Sequence, residues 1–307
     1  MSRKPDPTVW RDLHGILLLD KPQGYSSNQA LQTAKRIFRA EKAGHTGSLD
    51  PMATGLLPLC FGEATKIAGL LLGAAKAYSA ELKLGVTTAT GDVEGQVLRE
   101  RPVPELSIAR IEAAMAPLRG RIVQIPPKYS AIKQDGERLY DKARRGEEVV
   151  VPPREVDVHK FELSGRDGDV LRVEVECGSG TYIRSLAVDL GEALGCGAHL
   201  TALRRPWVEP FRTPRMLTIE ELTALAASGD AAIDALLLPM EEGLVRMPAL
   251  SVSEEDAARV RQGQPLSSAG PAGIYRVLAP GERLIALGEV DGAGVLRVKR
   301  GLNVAKS

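Results

Sequence analysis

Asp50 stands in the run Ala43-Gly44-His45-Thr46-Gly47-Ser48-Leu49-Asp50-Pro51-Met52-Ala53-Thr54-Gly55, and no other acidic residue lies in it. An ionised carboxylate of this kind can attack an electrophilic carbon or remove a proton. A glycoside hydrolase would normally need a second carboxyl group, which the run does not supply. Gly44, Gly47 and Gly55 open backbone angles closed to other residues, and Pro51 pushes Asp50 toward an extended conformation, so the carboxylate sits on a shaped loop. The plain alternative is an Asp-Pro turn before the apolar run Leu56-Leu57-Pro58-Leu59. The loop by itself leaves both readings open.

Two further clusters resemble other chemistries. Gly178-Ser179-Gly180 lies between a strand pattern and a helix pattern, as a dinucleotide fingerprint would, but Ile183 fills the place of the third glycine. Cys196 and His199 have the spacing of half a metal site, with no second pair of ligands near in sequence. A structural turn explains both. His14 and His159 are isolated.

The elements that must hold Asp50 are legible on either side of it. Ile16 to Leu19 is a short apolar run closed by Lys21-Pro22-Gln23-Gly24, as in a buried strand entering a turn. Ser26 with Gln29 forms a capping-box pattern, and Ala30, Leu31, Ala34, Ile37 and Phe38 follow at helical spacing. After the loop we expect a helix from Gly62 to Leu72, then a half-buried strand in which Ala80, Leu82, Leu84 and Val86 alternate with Ser79, Glu81 and Lys83. Ile108, Ile111, Met115 and Leu118 predict a helix ending near Gly120. Leu171, Val173, Val175 and Cys177 predict a strand, and helical spacing runs from Tyr182 to Leu194. Between these, Gln124 to Pro152 is a basic excursion with interleaved tyrosines. Capping signals at Thr218 and Ser253 precede a Gly/Pro-rich tail with strands near 274–277, 284–287 and 295–298.

Composition excludes several classes. The 307 residues, 44% hydrophobic and 26% charged, are ordinary globular material, long enough for about two domains. No apolar run reaches transmembrane length, and the start Met1-Ser2-Arg3-Lys4-Pro5-Asp6-Pro7 lacks a signal-peptide core. The 3 cysteines are widely spaced, which points to a reducing compartment, and we expect a cytoplasmic protein. The net charge of +1 hides an uneven distribution. Residues 119–154 and the stretch from Ala257 onward are basic, whereas 217–256 has Arg246 as its lone base among Asp and Glu, so one face suits phosphates.

The loop resembles the G-H-T-G-x-L-D-P-x-A-T-G motif of the TruB family of pseudouridine synthases, which isomerise uridine 55 of tRNA; every fixed position is filled. The resemblance extends to Gly15-Ile16-Leu17-Leu18-Leu19-Asp20-Lys21-Pro22-Gln23-Gly24, Lys76-Ala77-Tyr78, Gly178-Ser179-Gly180-Thr181-Tyr182-Ile183-Arg184-Ser185 and Leu203-Arg204-Arg205, in the family's order. After Gly24 the chain reads Tyr25-Ser26-Ser27 where the family often has Thr-Ser.

The resemblance implies an isomerisation with Asp50 as nucleophile at C1′ or base at C2′, and it requires no cofactor and no metal. It implies that Arg184 is the counter-ion that keeps Asp50 charged and aimed, and that Tyr182 takes part in removing the C5 proton. It makes Tyr78 the stacking partner of the uracil, Leu203 an apolar wall, and His45 the residue that fills the gap left by the extruded uridine. The implied fold is α+β, a pseudouridine synthase domain over residues 1–246 with a mixed, largely antiparallel sheet and the basic excursion at about 124–152. Residues 247–307 are expected to form a small PUA-like β barrel that binds RNA. The implied partner is the T-arm of tRNA, met by a monomer with no membrane association. Two rival classes are an RNA-binding or RNA-folding module without catalysis and an N-glycoside hydrolase.

Overall fold

In the computed structural model, the described residues are 9–127, 133–134, 137–138, 151–267 and 270–303. Most of the basic excursion, including Lys128, Tyr129, Tyr140, Arg144 and Arg145, lies outside them.

Alternating burial builds one large sheet. Strand β1 (Gly15–Lys21) pairs with β3 (Thr54–Phe61), which carries the short β2 (Ala43–His45). The sheet continues through β12 (Ala198–Val208), β4 (Lys76–Leu84), β11 (Val170–Cys177), β10 (Arg154–Asp167) and β7 (Gly120–Gln124), in the order β1-β3-β12-β4-β11-β10-β7. The β12–β3 pairing is parallel and the other pairings of this sheet are antiparallel, the mixed sheet that was expected. A separate short antiparallel pair, β8 (Lys133–Gln134) with β9 (Glu137–Arg138), lies between β7 and β10 in the chain.

On β4, Tyr78, Ala80, Leu82 and Leu84 are buried while Ser79, Glu81 and Lys83 remain half-buried, the period of 2 that one covered face requires. The covered face packs against the helices Ile108–Met115 and Ile183–Ala193 in one core. Strands β1 and β3 are buried on both faces, so they read as continuous apolar runs. Leu17, Leu19, Leu57 and Leu59 face the helix Ser27–Phe38, while Ile16, Leu18 and Leu56 face the opposite way.

Three boundaries differ from the sequence expectation. The segment Gly62 to Leu72 is a 3₁₀ turn over Gly62–Lys66 and a separate helix Ala68–Leu72. The Thr65 hydroxyl donates to the Gly62 carbonyl at 2.7 Å, tightening the turn. The strand expected to reach Val86 stops at Leu84, because Gly85 adopts φ +85° and redirects the chain into the hairpin of β5 (Val86–Thr88) and β6 (Val97–Glu100). The helix beginning at Ile108 ends as α at Met115, with Ala116–Leu118 in 3₁₀ form, since Pro117 has no N–H to continue the ladder. The two expected capping boxes, at Ser26/Gln29 and Thr218/Glu221, are both formed.

Beyond Met247 the chain makes a curled five-stranded sheet, β13 (Ala249–Ser251), β15 (Gly273–Ala279), β16 (Arg283–Val290), β17 (Val295–Gly301) and β14 (Leu266–Ser267), in that spatial order. It does not stand apart. Leu278, Leu284, Leu287 and Leu302 share a core with Ile16, Leu18, Leu56 and Ile67, and the Asn303 amide donates to Glu63 at 2.7 Å.

Candidate active site

The loop that bears Asp50 is tied down from three directions. Ser27, in the first turn of its helix, both accepts from the Leu49 amide at 2.7 Å and donates to the Leu49 carbonyl at 3.0 Å. Lys21, fully buried at the end of β1, donates to the carbonyls of Pro22, Tyr25 and Pro51 at 2.9, 2.6 and 3.3 Å. Burial lowers the Lys21 pKa to about 8, although Asp50 nearby favours its charge. Arg205, 1% exposed, donates to the carbonyls of Leu56, Gly47 and Ser48 at 2.8, 3.2 and 3.5 Å. Gly55 adopts φ +101°, and a Cβ there would stand 2.4 Å from the Arg205 carbonyl oxygen, so only glycine allows β3 and β12 to meet at the loop's end.

Arg184 reaches Asp50 from the first turn of Ile183–Ala193. Its Nη2 donates to Asp50 Oδ1 at 3.1 Å and its Nε lies at ion-pair distance, 2.9 Å, from Oδ2, so two guanidinium nitrogens face the carboxylate. The remaining Nη1 donates to the Thr90 carbonyl at 3.1 Å and lies 3.5 Å from Asp92 Oδ2. The Arg184 side chain is 5% exposed, whereas that of Asp50 keeps 35%, enough for a reactant to reach the carboxylate.

Asp92 is the residue that sequence reasoning missed. The loop has one acidic residue, but folding brings in this second carboxylate from the β5–β6 hairpin, with Glu94 beside it. The spacing Thr90-x-Asp92 carried a turn signal, and the Thr90 hydroxyl and Glu94 amide do donate to Asp92 Oδ1, at 2.5 and 3.1 Å. Asp92 is 3% exposed and behind Arg184, where no leaving group can reach it. The open-sided pair of carboxyls that a hydrolase uses is therefore not formed by these two.

The proton affinity of Asp50 is set by more than Arg184. Burial raises its pKa above the usual carboxylate value; Arg184 and Lys21 pull it down, and Asp92 adds to the rise. Arg184 thus aims the carboxylate, while burial and Asp92 outweigh its pull on the proton.

The other residues are placed as follows. Tyr182 caps the helix of Arg184 and is half-buried. Tyr78 and Leu203 are 8% and 7% exposed and belong to the core that includes Leu49 and Met52 under the loop. Burial and the neighbouring Cys177 and Asp50 raise the Tyr78 phenol pKa, against the pull of Arg205. His45 ends β2, and its Nδ1 accepts from the Gly47 amide at 3.4 Å. His199 Nδ1 pairs with the Val86 carbonyl at 2.9 Å, and Cys196 is buried. Among the described residues no group of three or more His, Cys, Asp or Glu could hold a metal ion.

Family models match three successive stretches of the chain. Residues 35–183 match the TruB family pseudouridylate synthase N-terminal domain, 184–245 the tRNA pseudouridylate synthase B C-terminal domain, and 247–298 the tRNA pseudouridine synthase II C-terminal model. The chain belongs to the TruB family. It is 60% identical over 296 residues to the tRNA pseudouridine synthase B of Xanthomonas axonopodis pv. citri, covering 96% of each chain. It is 49% identical over 295 residues to that of Stutzerimonas stutzeri, covering 95% of this chain and 96% of the relative. In fold, the TruB chain is similar to one in a Cbf5-Nop10-Gar1 complex, with TM-score 0.72, 25% identity and coverage of 95% and 84%. A chain of an H/ACA ribonucleoprotein bound to a substrate RNA containing 2′-deoxyuridine gives TM-score 0.73 at 24% identity, with coverage of 94% and 85%.

Proposed function

We propose that the chain isomerises uridine 55 in the T-loop of tRNA to pseudouridine, with Asp50 as its reacting carboxylate. It is a tRNA pseudouridine synthase, an isomerase, by its membership of the TruB family and its identity to tRNA pseudouridine synthase B relatives. The observation that carries the role of Asp50 is the approach of two nitrogens of buried Arg184 to a carboxylate that stays accessible.

The reaction breaks the N1–C1′ bond, turns the uracil and rejoins it through C5, so no electrons are gained or lost and no group leaves. Asp50 serves as nucleophile at C1′ or base at C2′, and either role needs the ionised form. A folded RNA loop hides C1′ and C5, so the uridine must be extruded. His45 fills the gap, the uracil stacks on Tyr78 with Leu203 as an apolar wall, and Tyr182 takes part in removing the C5 proton. Residues 1–246 form the catalytic domain and 247–307 a PUA-like RNA-binding domain, where β17 carries Arg297, Lys299 and Arg300, the first two beside Asp291 and Glu289. The protein acts as a monomer on the T-arm, in the cytoplasm. No helix among the described residues is long and apolar enough to cross a membrane.

The test is tritium release from tRNA labelled at uridine C5, run beside nucleoside analysis. Wild-type protein releases tritium and forms pseudouridine. In Asp50→Asn turnover falls by at least about a thousandfold, or roughly 4 kcal/mol, while tRNA binding survives. Free uracil as product would make the protein a hydrolase, and neither product would make it a binding module. An active Asp50→Asn protein free of deamidated material would remove Asp50 from the reaction.

A further inference from the structure

We infer that Gln124 and Arg154, cross-strand partners at one end of the sheet, form a cradle that positions Tyr182 and thereby the first turn carrying Arg184. The two residues are in register on β7 and β10. Gln124 is 1% exposed, and its amide meets the main chain of Tyr182 on both sides: Oε1 accepts from the Tyr182 N–H at 2.7 Å and Nε2 donates to the Tyr182 carbonyl at 3.1 Å. A primary amide that binds the N–H and the C=O of one residue holds both peptide units that flank its Cα.

Arg154 holds the other half of the same residue. Its guanidinium lies 4.9 Å from the centre of the Tyr182 ring, a stacking distance, and its Nη1 is close enough to Gly180 that a Cβ there would sit 3.6 Å away. A third tie follows one turn along, where the Ser185 hydroxyl donates to the Ile125 carbonyl at 2.8 Å. The end of β7 therefore fastens residues 182 and 185 on either side of Arg184.

The helix needs this help. Tyr182 occupies its N-cap and makes no side-chain cap hydrogen bond, so nothing within the helix itself sets where its first turn begins. Gln124, from a neighbouring strand, accepts from the N-cap N–H, the part an N3 side chain plays in a capping box. Because Arg184 must present two nitrogens to Asp50, a shift of about 1 Å at residue 182 is enough to spoil the contact, and misplacements of that size cost on the order of a hundredfold in rate. Gln124 and Arg154 are positioning residues, and neither touches Asp50.

The inference rests on the reading of Tyr182 and Arg184 as parts of the site, and it is tested by single-turnover tritium release with enzyme saturating over labelled tRNA. The dissociation constant and the thermal melting curve of each variant are measured alongside. In Gln124→Leu we expect the bound-state rate to fall by about 10- to 100-fold while tRNA affinity changes by less than about threefold. Arg154→Gln, at a half-buried position, is expected to lose about three- to tenfold in the same rate. A variant that only destabilised the fold would keep its rate at temperatures well below its melting point, so a wild-type bound-state rate in both variants overturns the cradle, as does a loss confined to affinity. Tyr182→Phe keeps the two ideas apart: a full rate there removes the phenol from the chemistry, while the cradle is still judged by Gln124→Leu. An inactive wild type would overturn both.

Discussion

Arg184 stands between Asp50 and Asp92, giving two nitrogens to the first and facing the second with its third at 3.5 Å. One guanidinium thus couples a carboxylate that is open to reactants with one that is closed to them. Asp92 anchors the arginine from behind, and it also raises the proton affinity of Asp50.

Arg184→Lys retains the charge but not the fork. An ammonium meets Asp50 at one point and cannot also hold the Thr90 carbonyl and Asp92, so the bound-state rate should fall by about a hundredfold. Single-turnover kinetics on C5-labelled tRNA measure it. A near-normal rate in Arg184→Lys with Arg184→Ala inactive would show that charge alone suffices.

The pH profile follows from the raised pKa of Asp50. Its ionised fraction is full above that value and is lost as pH falls through it, so the acid limb of the bound-state rate lies at higher pH than an ordinary aspartate would give. Asp92→Asn removes one of the groups that raise it and shifts the limb to lower pH. The same change sets an amide against Arg184 Nη1, and the plateau should drop by about tenfold. Rates across pH for the two proteins test both signs, and a limb that moved upward in Asp92→Asn would contradict the electrostatic account.

Arg205→Met should unfold the protein more readily by about 3 kcal/mol or more, because the carbonyls of Gly47, Ser48 and Leu56 lose their buried donor together. Gly55→Ala should act in the same direction, through its φ of +101° and the approach of the Arg205 carbonyl. Urea titration reads both. A stability change below about 1 kcal/mol in each would mean that the loop is held elsewhere.

Truncation before Met247 would bare Ile16, Leu18 and Leu56 by removing the leucines packed against them, so it is a poor test of the tail's role. Charge substitution on β17 is cleaner. Arg297→Gln with Arg300→Gln should weaken tRNA binding and flatten its dependence on salt by roughly one unit of slope for each phosphate that is no longer neutralised, leaving the bound-state rate unchanged. A fall in that rate with affinity intact would reverse the assignment.

The sequence by itself determined the local pieces, since each rests on neighbours along the chain. The capping boxes at Ser26 and Thr218 formed as their spacing requires, β4 buries alternate residues, and the doubly buried β1 and β3 were visible as unbroken apolar runs. Asp50 and Arg184 were legible through motif resemblance, although 134 positions separate them. Only the tertiary structure decided what surrounds that pair. Asp92 comes from a hairpin, Lys21 from the end of β1, Arg205 from within β12 and Gln124 from the end of β7, and none of these contacts follows from a periodicity in the chain. The proton affinity of Asp50 belongs to the same class. It depends on burial and on charges brought within a few ångströms by sheet order and helix packing, which a residue's type and spacing do not encode.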